Sequence, residues 1–210
     1  MVSNKINYAK RDIFITISTY NEEFKVSIYS RKGDKGQTEN LNGQSLSKND
    51  IILYCIGAID ELNSHLGLVK AMLSNEDSWQ VSWLSACNVI EKVQKNLINI
   101  MAHISDFKNE KYFLSEKEIL FLEKEIDRLT ANLPKLTDFI IPGKNIIEAQ
   151  IQIARTITRR AERLFFAVNE KSPLNPQAGI YLNRLSDYLF VLSQQESLIN
   201  VNFINQFTGI

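Results

Sequence analysis

The helical character of the chain is clearest in residues 50–73, which read DIILYCIGAIDELNSHLGLVKAML. Apolar residues recur there at spacings of three and four, at Ile52, Cys55, Ile56, Ile59, Leu62, Leu66, Val69 and Leu73. This spacing lines them up along one side of an α-helix, which turns once in about 3.6 residues. The stretch therefore predicts a long amphipathic helix over about 50–73.

Four further segments show the same helical period. They run over about 76–105, from Ser115 to Pro134, over about 145–170 and over about 177–199. Ser115 and Glu118 form a capping-box pattern at the start of the third helix, and Pro134 ends it. Because long helices with short connections favour an antiparallel arrangement, the sequence predicts an all-α, five-helix, up-and-down bundle over residues 50–200.

Two segments of different character precede the bundle. Residues 1–28 alternate apolar and polar side chains in places, which predicts an extended arm or a short hairpin. Residues 29–49 hold Gly33, Gly36 and Gly43 and lack apolar periodicity, which predicts a loop. We expect residues 29–210 to form a single domain.

The composition argues against several classes of function. Lys and Arg balance Asp and Glu at 24 each, so the chain lacks the general positive charge that favours nucleic-acid binding. No apolar run is long enough to span a membrane, and no secretory leader is evident. Two cysteines cannot build a disulfide framework, so we expect a cytoplasmic protein. His65 and His103 do not fall in a metal-binding spacing, so no side-chain metal cluster is expected.

The glycine-rich loop is the first candidate site. Backbone N–H groups freed by glycines bind phosphate readily, and Thr38 and Lys48 are plausible side-chain ligands. The loop lacks the Gly-Lys-Ser/Thr sequence of a P-loop, and no strong strand precedes it. A plain surface loop is the alternative interpretation.

The predicted fourth helix carries the second candidate site, with four arginines between residues 155 and 163. Arg155, Arg159 and Glu162 lie within about 60° of one another around the helix, and Arg163 flanks them. Guanidinium groups suit this role because their planar array of N–H donors matches carboxylate or phosphate. The alternative is a solvated helix face with a few ion pairs.

Two acids interrupt the apolar stripes of the predicted helices. Asp60 adjoins Ile59 in the first helix, and Asp187 lies in the fifth. An unpaired buried charge is costly, so we expect the surplus arginines of the fourth helix to pair with these two carboxylates. Ordinary polar contacts between helices are the alternative.

Four stretches together resemble the PduO-type ATP:cob(I)alamin adenosyltransferases, also called corrinoid adenosyltransferases. They are residues 29–38, YSRKGDKGQT; residues 57–64, GAIDELNS; residues 139–143, FIIPG, running into residues 155–163, RTITRRAER; and residues 183–188, NRLSDY. The resemblance covers roughly residues 28–195. It implies a ferritin-like, cobalamin adenosyltransferase-like five-helix bundle, assembled as a homotrimer with active sites between neighbouring subunits.

The resemblance also implies an ATP site. ATP with Mg²⁺ is expected under the N-terminal loop. The positions that match the family's ATP-binding residues are Ser30, Arg31, Lys32, Gly33, Asp34, Gly36, Gln37, Thr38, Lys48, Arg159, Glu162, Arg163 and Asn183. Among these, Lys48, Arg159, Glu162 and Arg163 are the expected catalytic residues.

Further roles follow from the same resemblance. Asp60 and Arg155 match the pair that forms a salt bridge across the subunit interface. Phe139 matches the aromatic residue that displaces the lower axial ligand of the corrinoid, and Asp187 is expected to contact the corrinoid as well. A flavoprotein or other reductase, and a B12-dependent enzyme that takes the product, are candidate partners.

The implied reaction moves the 5′-deoxyadenosyl group of ATP to reduced cobalt and expels triphosphate. Cationic groups would stabilise the leaving triphosphate, which is why Lys48 and the arginine face suit this chemistry. Reduced cobalt is itself a strong nucleophile, so no Ser, Cys or general-base triad is required. The alternatives are a non-catalytic carrier of adenosylcobalamin on the same bundle and a helical assembly protein whose arginines join subunits.

Several positions depart from the family pattern. Lys32 stands where Thr is common, Lys144 where a second Gly is frequent, and Gln194 where Arg is common. A polar run replaces the more usual Leu/Gly/Arg-rich segment, at Asn40, Asn42, Gln44 and Ser45. The polar run lowers the positive charge near the loop, and the departures together bear on ATP affinity and turnover more than on the fold.

Overall fold

The computed structural model describes residues 29, 31–75, 81–135 and 139–208. The predicted arm at 1–28 and the candidate ligand Ser30 lie outside the described residues. Five α-helices are present in the described ranges: α1 Ile51–Asn75, α2 Val81–Ser105, α3 Glu116–Thr130, α4 Ile146–Asn169 and α5 Pro176–Thr208. A short 3₁₀ turn, Glu110–Tyr112, precedes α3. The predicted five-helix bundle is confirmed, although α3 ends earlier and α5 runs further than the sequence pattern indicated.

The core forms where the apolar stripes of the helices meet. Cys55, Ile59, Leu62, Leu66 and Val69 of α1 are all fully buried, as their spacing predicted. Helix α4 packs between α1 and α5, while α2 covers α1 and α3 covers α5. Helix α4 is therefore held on two sides, and its remaining surface carries the arginines.

The helices alternate in direction, so the bundle has two distinct ends. The N–H of Leu41 bonds to Ser105 Oγ at 2.9 Å, which places the loop beside the C-terminus of α2. Asn175, before α5, donates its N–H to His103 Nε2 at 2.8 Å at the same end. We call this the loop end; the far end carries the connection between α3 and α4. Helix α4 has 24 residues, so the two ends are about 36 Å apart.

The loop prediction for residues 29–49 is wrong in part, because a small hairpin forms inside it. Strand β1, Gln37–Glu39, pairs antiparallel with β2, Ser45–Ser47, in the register Thr38 opposite Leu46. Gly43 closes the turn with φ of +81°, a conformation that glycine adopts without steric cost. Leu46 is the buried residue of these strands, so the hairpin has no apolar alternation for a sequence pattern to reveal.

The capping box predicted at α3 is also wrong in its chemistry. Ser115 is the N-cap residue, but its side chain makes no capping hydrogen bond. The Glu118 carboxylate turns away to α2, where its Oε2 accepts from Lys92 Nζ at 3.0 Å and from Asn96 Nδ2 at 2.9 Å. Lys92 and Asn96 compete with the backbone N–H of Ser115 for the Glu118 carboxylate, which explains why the capping box does not form. The N-terminus of α4 is capped instead by Asn145, whose Oδ1 accepts from the N–H of Glu148 at 2.8 Å.

Two general features of the described ranges bear on function. None of their helices combines the length and apolar character needed to cross a lipid bilayer. They also contain no group of three or more His, Cys, Asp or Glu side chains arranged to hold a metal ion.

Candidate functional site

The loop residues form a compact turn with a lysine laid across it. The Gly36 N–H bonds to the carbonyl of Gly33 at 3.2 Å, and the Lys48 N–H bonds to the carbonyl of Gly36 at 2.9 Å. A Cβ atom at position 33 would lie 2.9 Å from Lys48 Nζ, so glycine is what lets the ammonium group approach the backbone. Arg31 and Gly36 both adopt left-handed φ angles, of 59° and 77°. The turn therefore holds Lys48 against the glycine-rich backbone.

A small polar cavity opens beside this turn. Its volume is about 170 Å³, and it is lined by Lys32, Gly33, Gln37, Thr38, Glu39 and Ser45. Lys32 and Glu39 form a long, exposed ion pair of 3.9 Å across it. Four of the residues expected to bind ATP are thus brought together by the hairpin. Arg31 turns outward instead, with its guanidinium 5.4 Å from the ring centroid of Tyr29, and Asp34 is exposed.

The arginines of α4 divide into paired and unpaired groups. Arg160 forms an ion pair with Glu61 of α1, and Arg155 Nε donates to Gln152 Oε1 at 2.6 Å. Arg159 and Arg163 are exposed, and neither has an ion-pair or hydrogen-bond partner within the ranges the structure describes. Two permanently charged groups, one helical turn apart, are thus left open to a ligand or a second chain.

Glu162 lies between these two arginines on α4 and is tied to α5. Asn183 Nδ2 donates to Glu162 Oε1 at 3.0 Å. The two expected ATP ligands Glu162 and Asn183 are therefore in direct contact, beside Arg159 and Arg163. We call these four residues the arginine cluster. The cluster lies six to ten residues from the C-terminal end of α4, which is about 9–15 Å from the loop end.

The loop and the arginine cluster remain separate within one chain. No hydrogen bond or ion pair joins residues 31–48 to the cluster among the described residues. The sequence-derived ATP residues thus form two groups rather than one.

The expectation that helix-four arginines pair with Asp60 and Asp187 is wrong within the single chain. Asp187 Oδ2 accepts from Arg184 Nη1 at 3.1 Å, three residues earlier on α5, and Arg184 Nε also donates to Glu123 of α3. Asp60 is exposed, and its carboxylate has no partner in the described part of the chain. Both acids lie on the surface of the single chain, so the desolvation argument that required buried partners does not apply to them.

The register of α1 against α4 explains why Asp60 and Arg155 do not meet. The Glu61–Arg160 pair fixes these antiparallel helices at one level. Arg155 then lies opposite a position six residues beyond Asp60, or about 9 Å along the axis. Arg155 is held in place by a buried polar chain, in which Gln152 Nε2 and Gln194 Nε2 both donate to Ser193 Oγ.

The far end of the bundle carries a second, larger cavity. Its volume is about 320 Å³, and its lining is mainly apolar, formed by Thr130, Leu133, Pro134, Lys135, Lys144, Phe190, Val191, Gln194, Ser197 and Leu198. The loop beside it carries Phe139, which is fully exposed, and Ile141, which is nearly so. Neither Phe139 nor Asp187 lines the cavity. Sequence reasoning missed its apolar residues because Leu133, Phe190 and Val191 fit the helical stripes of an ordinary core.

His103 and Ser105 connect the loop end to the bundle. His103 is buried, and its Nε2 accepts the N–H of Asn175 at 2.8 Å. Burial lowers the pKa of His103 below its ordinary value, with the nearby Asp106 partly opposing the shift. The neutral imidazole is the form that accepts this hydrogen bond, so His103 is a structural residue rather than a metal ligand. Burial likewise raises the pKa of the Cys55 thiol to about 12, which makes Cys55 an unreactive core residue.

Residues 28–196 match the cobalamin adenosyltransferase family. The chain belongs to that family. It is 38% identical over 173 residues to the corrinoid adenosyltransferase of Citrobacter freundii, an alignment covering 80% of this chain and 94% of the relative. It is 36% identical over 172 residues to the corrinoid adenosyltransferase of Bacillus subtilis, covering 80% and 86%.

Solved structures of the cobalamin adenosyltransferase family share the fold. A variant of the PduO-type ATP:corrinoid adenosyltransferase from Lactobacillus reuteri, complexed with cobalamin and ATP, aligns with a TM-score of 0.74 at 31% identity. The alignment covers 83% of this chain and 95% of that protein. Another variant of that protein, complexed with ATP, aligns with a TM-score of 0.73 at 32% identity, over 82% and 95%. The family resemblance drawn from the four sequence stretches is confirmed.

Proposed function

We propose that the chain transfers the 5′-deoxyadenosyl group of ATP to the cobalt of reduced cob(I)alamin, giving adenosylcobalamin and triphosphate. The observation that carries this proposal is the arginine cluster: Arg159 and Arg163 have no partner among the described residues and lie beside the Glu162–Asn183 contact. Two uncompensated guanidinium groups suit a triphosphate, whose charge grows as it leaves. The Lactobacillus reuteri relative complexed with cobalamin and ATP supports the choice of substrates.

The phosphate-binding half of the site has two parts. Lys48, whose ammonium group lies beside the backbone of Gly33, supplies a point charge on a flexible stem. The arginine cluster supplies planar, permanently charged donors. Mg²⁺ would be carried by the phosphate oxygens of ATP, in keeping with its preference for phosphates over dedicated protein cages. Each protein group then contributes to holding ATP in line with the cobalt and stabilising the leaving group.

We assign the corrinoid-binding half of the site to the far end of the bundle, where α3 connects to α4. The connecting loop carries the exposed Phe139 and Ile141 side chains and Lys144, which lines the apolar cavity of about 320 Å³; these apolar features suit the edge and lower face of a corrinoid ring. Displacing the lower axial ligand with an apolar side chain favours four-coordinate cobalt, which is easier to reduce. We assign that role to Phe139.

We further propose that the sites form between neighbouring subunits of a homotrimer. The Asp60 carboxylate has no partner among the described residues, and no hydrogen bond or ion pair joins the loop to the arginine cluster there. Apolar side chains are also exposed on α1 and α4, at Tyr54, Leu68, Ile153 and Phe166. A neighbouring copy would cover this surface and bring Asp60 to Arg155; the number of subunits rests on the family resemblance.

The cellular setting is part of the same proposal. Cys55 and Cys87 are both free thiols, which suits a reducing cytoplasm. A flavoprotein or other reductase would supply the electrons for cob(I)alamin, and a B12-dependent enzyme would receive the product.

The direct test is an anaerobic assay with chemically reduced cobalamin, ATP and Mg²⁺, followed by the visible spectrum of the corrinoid. Formation of light-sensitive adenosylcobalamin that depends on ATP is the expected result. Tight corrinoid binding without product would contradict it and favour the carrier. No ATP-dependent protection of residues 31–48 against hydrogen exchange, together with no product, would favour a helical assembly protein.

The subunit interface is tested by a matched pair of variants on α1. Asp60→Ala should weaken assembly at least about tenfold, because it leaves Arg155 unpaired at the interface. Glu61→Ala removes the neighbouring carboxylate, whose partner is Arg160 of the same chain, and should leave assembly unchanged. Sedimentation or light scattering over a concentration series measures both; equal behaviour of the two variants would exclude the proposed Asp60–Arg155 pair.

A further inference from the structure

A buried carboxylate fastens the loop that carries Phe139. Glu148 lies in the first turn of α4 and is fully buried. Its Oε2 accepts the N–H of Gly143 at 2.7 Å and the N–H of Lys144 at 3.1 Å. Both are charge-assisted hydrogen bonds, which are stronger than neutral ones. The positive end of the α4 dipole further stabilises the carboxylate at this position.

The geometry of the loop depends on these two bonds. Gly143 has a φ of +110°, a conformation that few residues other than glycine adopt. Within the described residues, no other hydrogen bond is made to residues 139–144. The hold by Glu148 is therefore the main polar restraint on a loop that is otherwise exposed.

Among the described residues, no neighbour covers the Phe139 side chain or fixes its position. Its ring is fully exposed, as are most of the surfaces of Ile141 and Ile146, which follow it in the chain. Within the described residues, the position of the Phe139 ring therefore depends on the backbone that follows it. Lys144, whose N–H Glu148 holds, also lines the apolar cavity. One carboxylate thus acts on both parts of the proposed corrinoid surface.

We propose that Glu148 is a positioning residue for the corrinoid: it holds the backbone at residues 143 and 144 and so sets the Phe139 ring against the lower face of the ring system. The inference rests on the proposed function. It differs from a capping role, because Asn145 already caps α4 through the N–H of Glu148. Loss of Glu148 should therefore affect corrinoid use and leave ATP use unchanged.

The test compares Glu148→Ala and Glu148→Gln with Asn145→Ala as the matched control. Asn145→Ala removes a bond at the same helix end without touching the loop amides. Glu148→Ala should speed hydrogen exchange at the Gly143 and Lys144 amides by about tenfold and raise the KM for cobalamin by a similar factor. The KM for ATP should stay within about twofold, because the ATP residues lie elsewhere on the bundle. Glu148→Gln keeps an uncharged acceptor and should show about a threefold effect on both readouts.

Each outcome decides the proposal. It is supported if Glu148→Ala has the larger effect and Glu148→Gln the smaller one on both readouts, while Asn145→Ala keeps the wild-type KM for cobalamin. It is overturned if Asn145→Ala and Glu148→Ala behave alike, or if exchange rises while the KM for cobalamin does not change. Should Glu148→Ala fail to fold, Glu148→Gln alone carries the same two readouts. Failure of the proposed function is distinct, because it would appear as absence of product with the wild-type chain.

Discussion

The neighbouring residues Arg159 and Arg160 allow the phosphate role to be separated from a structural one. They are adjacent in sequence, but successive helical residues point about 100° apart. Arg160 forms an ion pair with Glu61, with the two side chains 47% and 44% exposed, whereas Arg159 has no partner in the described chain. Removing the Arg159 guanidinium should therefore affect a bound ligand, and removing the Arg160 guanidinium should affect the packing of α4 against α1.

The expected magnitudes differ accordingly. Arg159→Ala removes a charged donor aimed at the leaving triphosphate, which should lower kcat by a factor of about 10²–10³, or roughly 3–4 kcal/mol of transition-state stabilisation. Its free energy of unfolding should stay within about 0.5 kcal/mol of the wild type, since no contact is lost. Arg160→Ala should keep its activity and lose about 0.2–1 kcal/mol of stability, the usual value of an exposed ion pair.

The measurements are steady-state rates in the anaerobic corrinoid assay and urea unfolding of both variants. Light scattering shows whether each keeps the assembly of the wild type. Arg159→Ala with wild-type kcat would remove this residue from the mechanism. An equal loss of kcat in both variants would show that the whole face acts through helix stability, and the reasoning from unpaired charge would fail.

Three further predictions concern the loop, the loop end of the bundle and the core. Gly33→Ala places a Cβ 2.9 Å from Lys48 Nζ, so the flexible ammonium group must move; the KM for ATP should rise about five- to tenfold without a change in melting temperature. Burial lowers the pKa of His103 from its ordinary value of about 6.5. Below pH 6.5 this residue therefore binds more protons in the unfolded chain than in the folded chain. Stability should be complete above that pH and fall as the pH drops through the lowered pKa; His103→Gln should flatten this part of a urea-unfolding pH series by removing the titrating partner of the Asn175 N–H. Tyr188→Phe removes a buried hydroxyl that has no partner among the described residues, so the free energy of unfolding should stay equal or rise by up to about 1 kcal/mol, and a clear drop would show that the hydroxyl is bonded.

The bundle was predictable because burial leaves a periodic record in the sequence. Ile59, Leu62 and Leu66 are fully buried, and their three- and four-residue spacing is what a single buried helix face requires. The hairpin left no such record, since Leu46 is its buried side chain and the turn depends on Asn40 and Gly43. A pair of three-residue strands on a surface has too few buried positions to produce a detectable period.

Site residues were predictable as types and faces, but their partners were not. Helical spacing places Arg155, Arg159 and Arg160 around α4, yet it does not say which neighbouring helix supplies an acid. Glu61 is opposite Arg160 because of the register between α1 and α4, a tertiary property. Asp187 pairs with Arg184, three residues earlier on the same helix. The prediction of a partner on another helix did not include this local pair.

Glu148 shows a third kind of residue, whose role depends on a neighbouring loop. Asn145, three residues earlier, caps the helix by accepting the N–H of Glu148. The carboxylate itself reaches past the cap to Gly143 and Lys144, which requires the φ of +110° at Gly143. A sequence pattern gives the candidate donors and acceptors, while the backbone path decides which of them meet.

Arg159 and Arg163, which have no partner among the described residues, also help to decide between the enzyme, the carrier and the assembly protein. Like charges four residues apart destabilise a helix by a few tenths of a kcal/mol, about as much as an opposite pair stabilises it. Glu162 relieves part of this repulsion, but one of its oxygens is already engaged by Asn183. A carrier of adenosylcobalamin has no need for two such charges, and an assembly protein would need a facing acid for each. A polyanionic substrate offsets the repulsion whenever it binds, so the arrangement favours an enzyme that uses triphosphate as its leaving group.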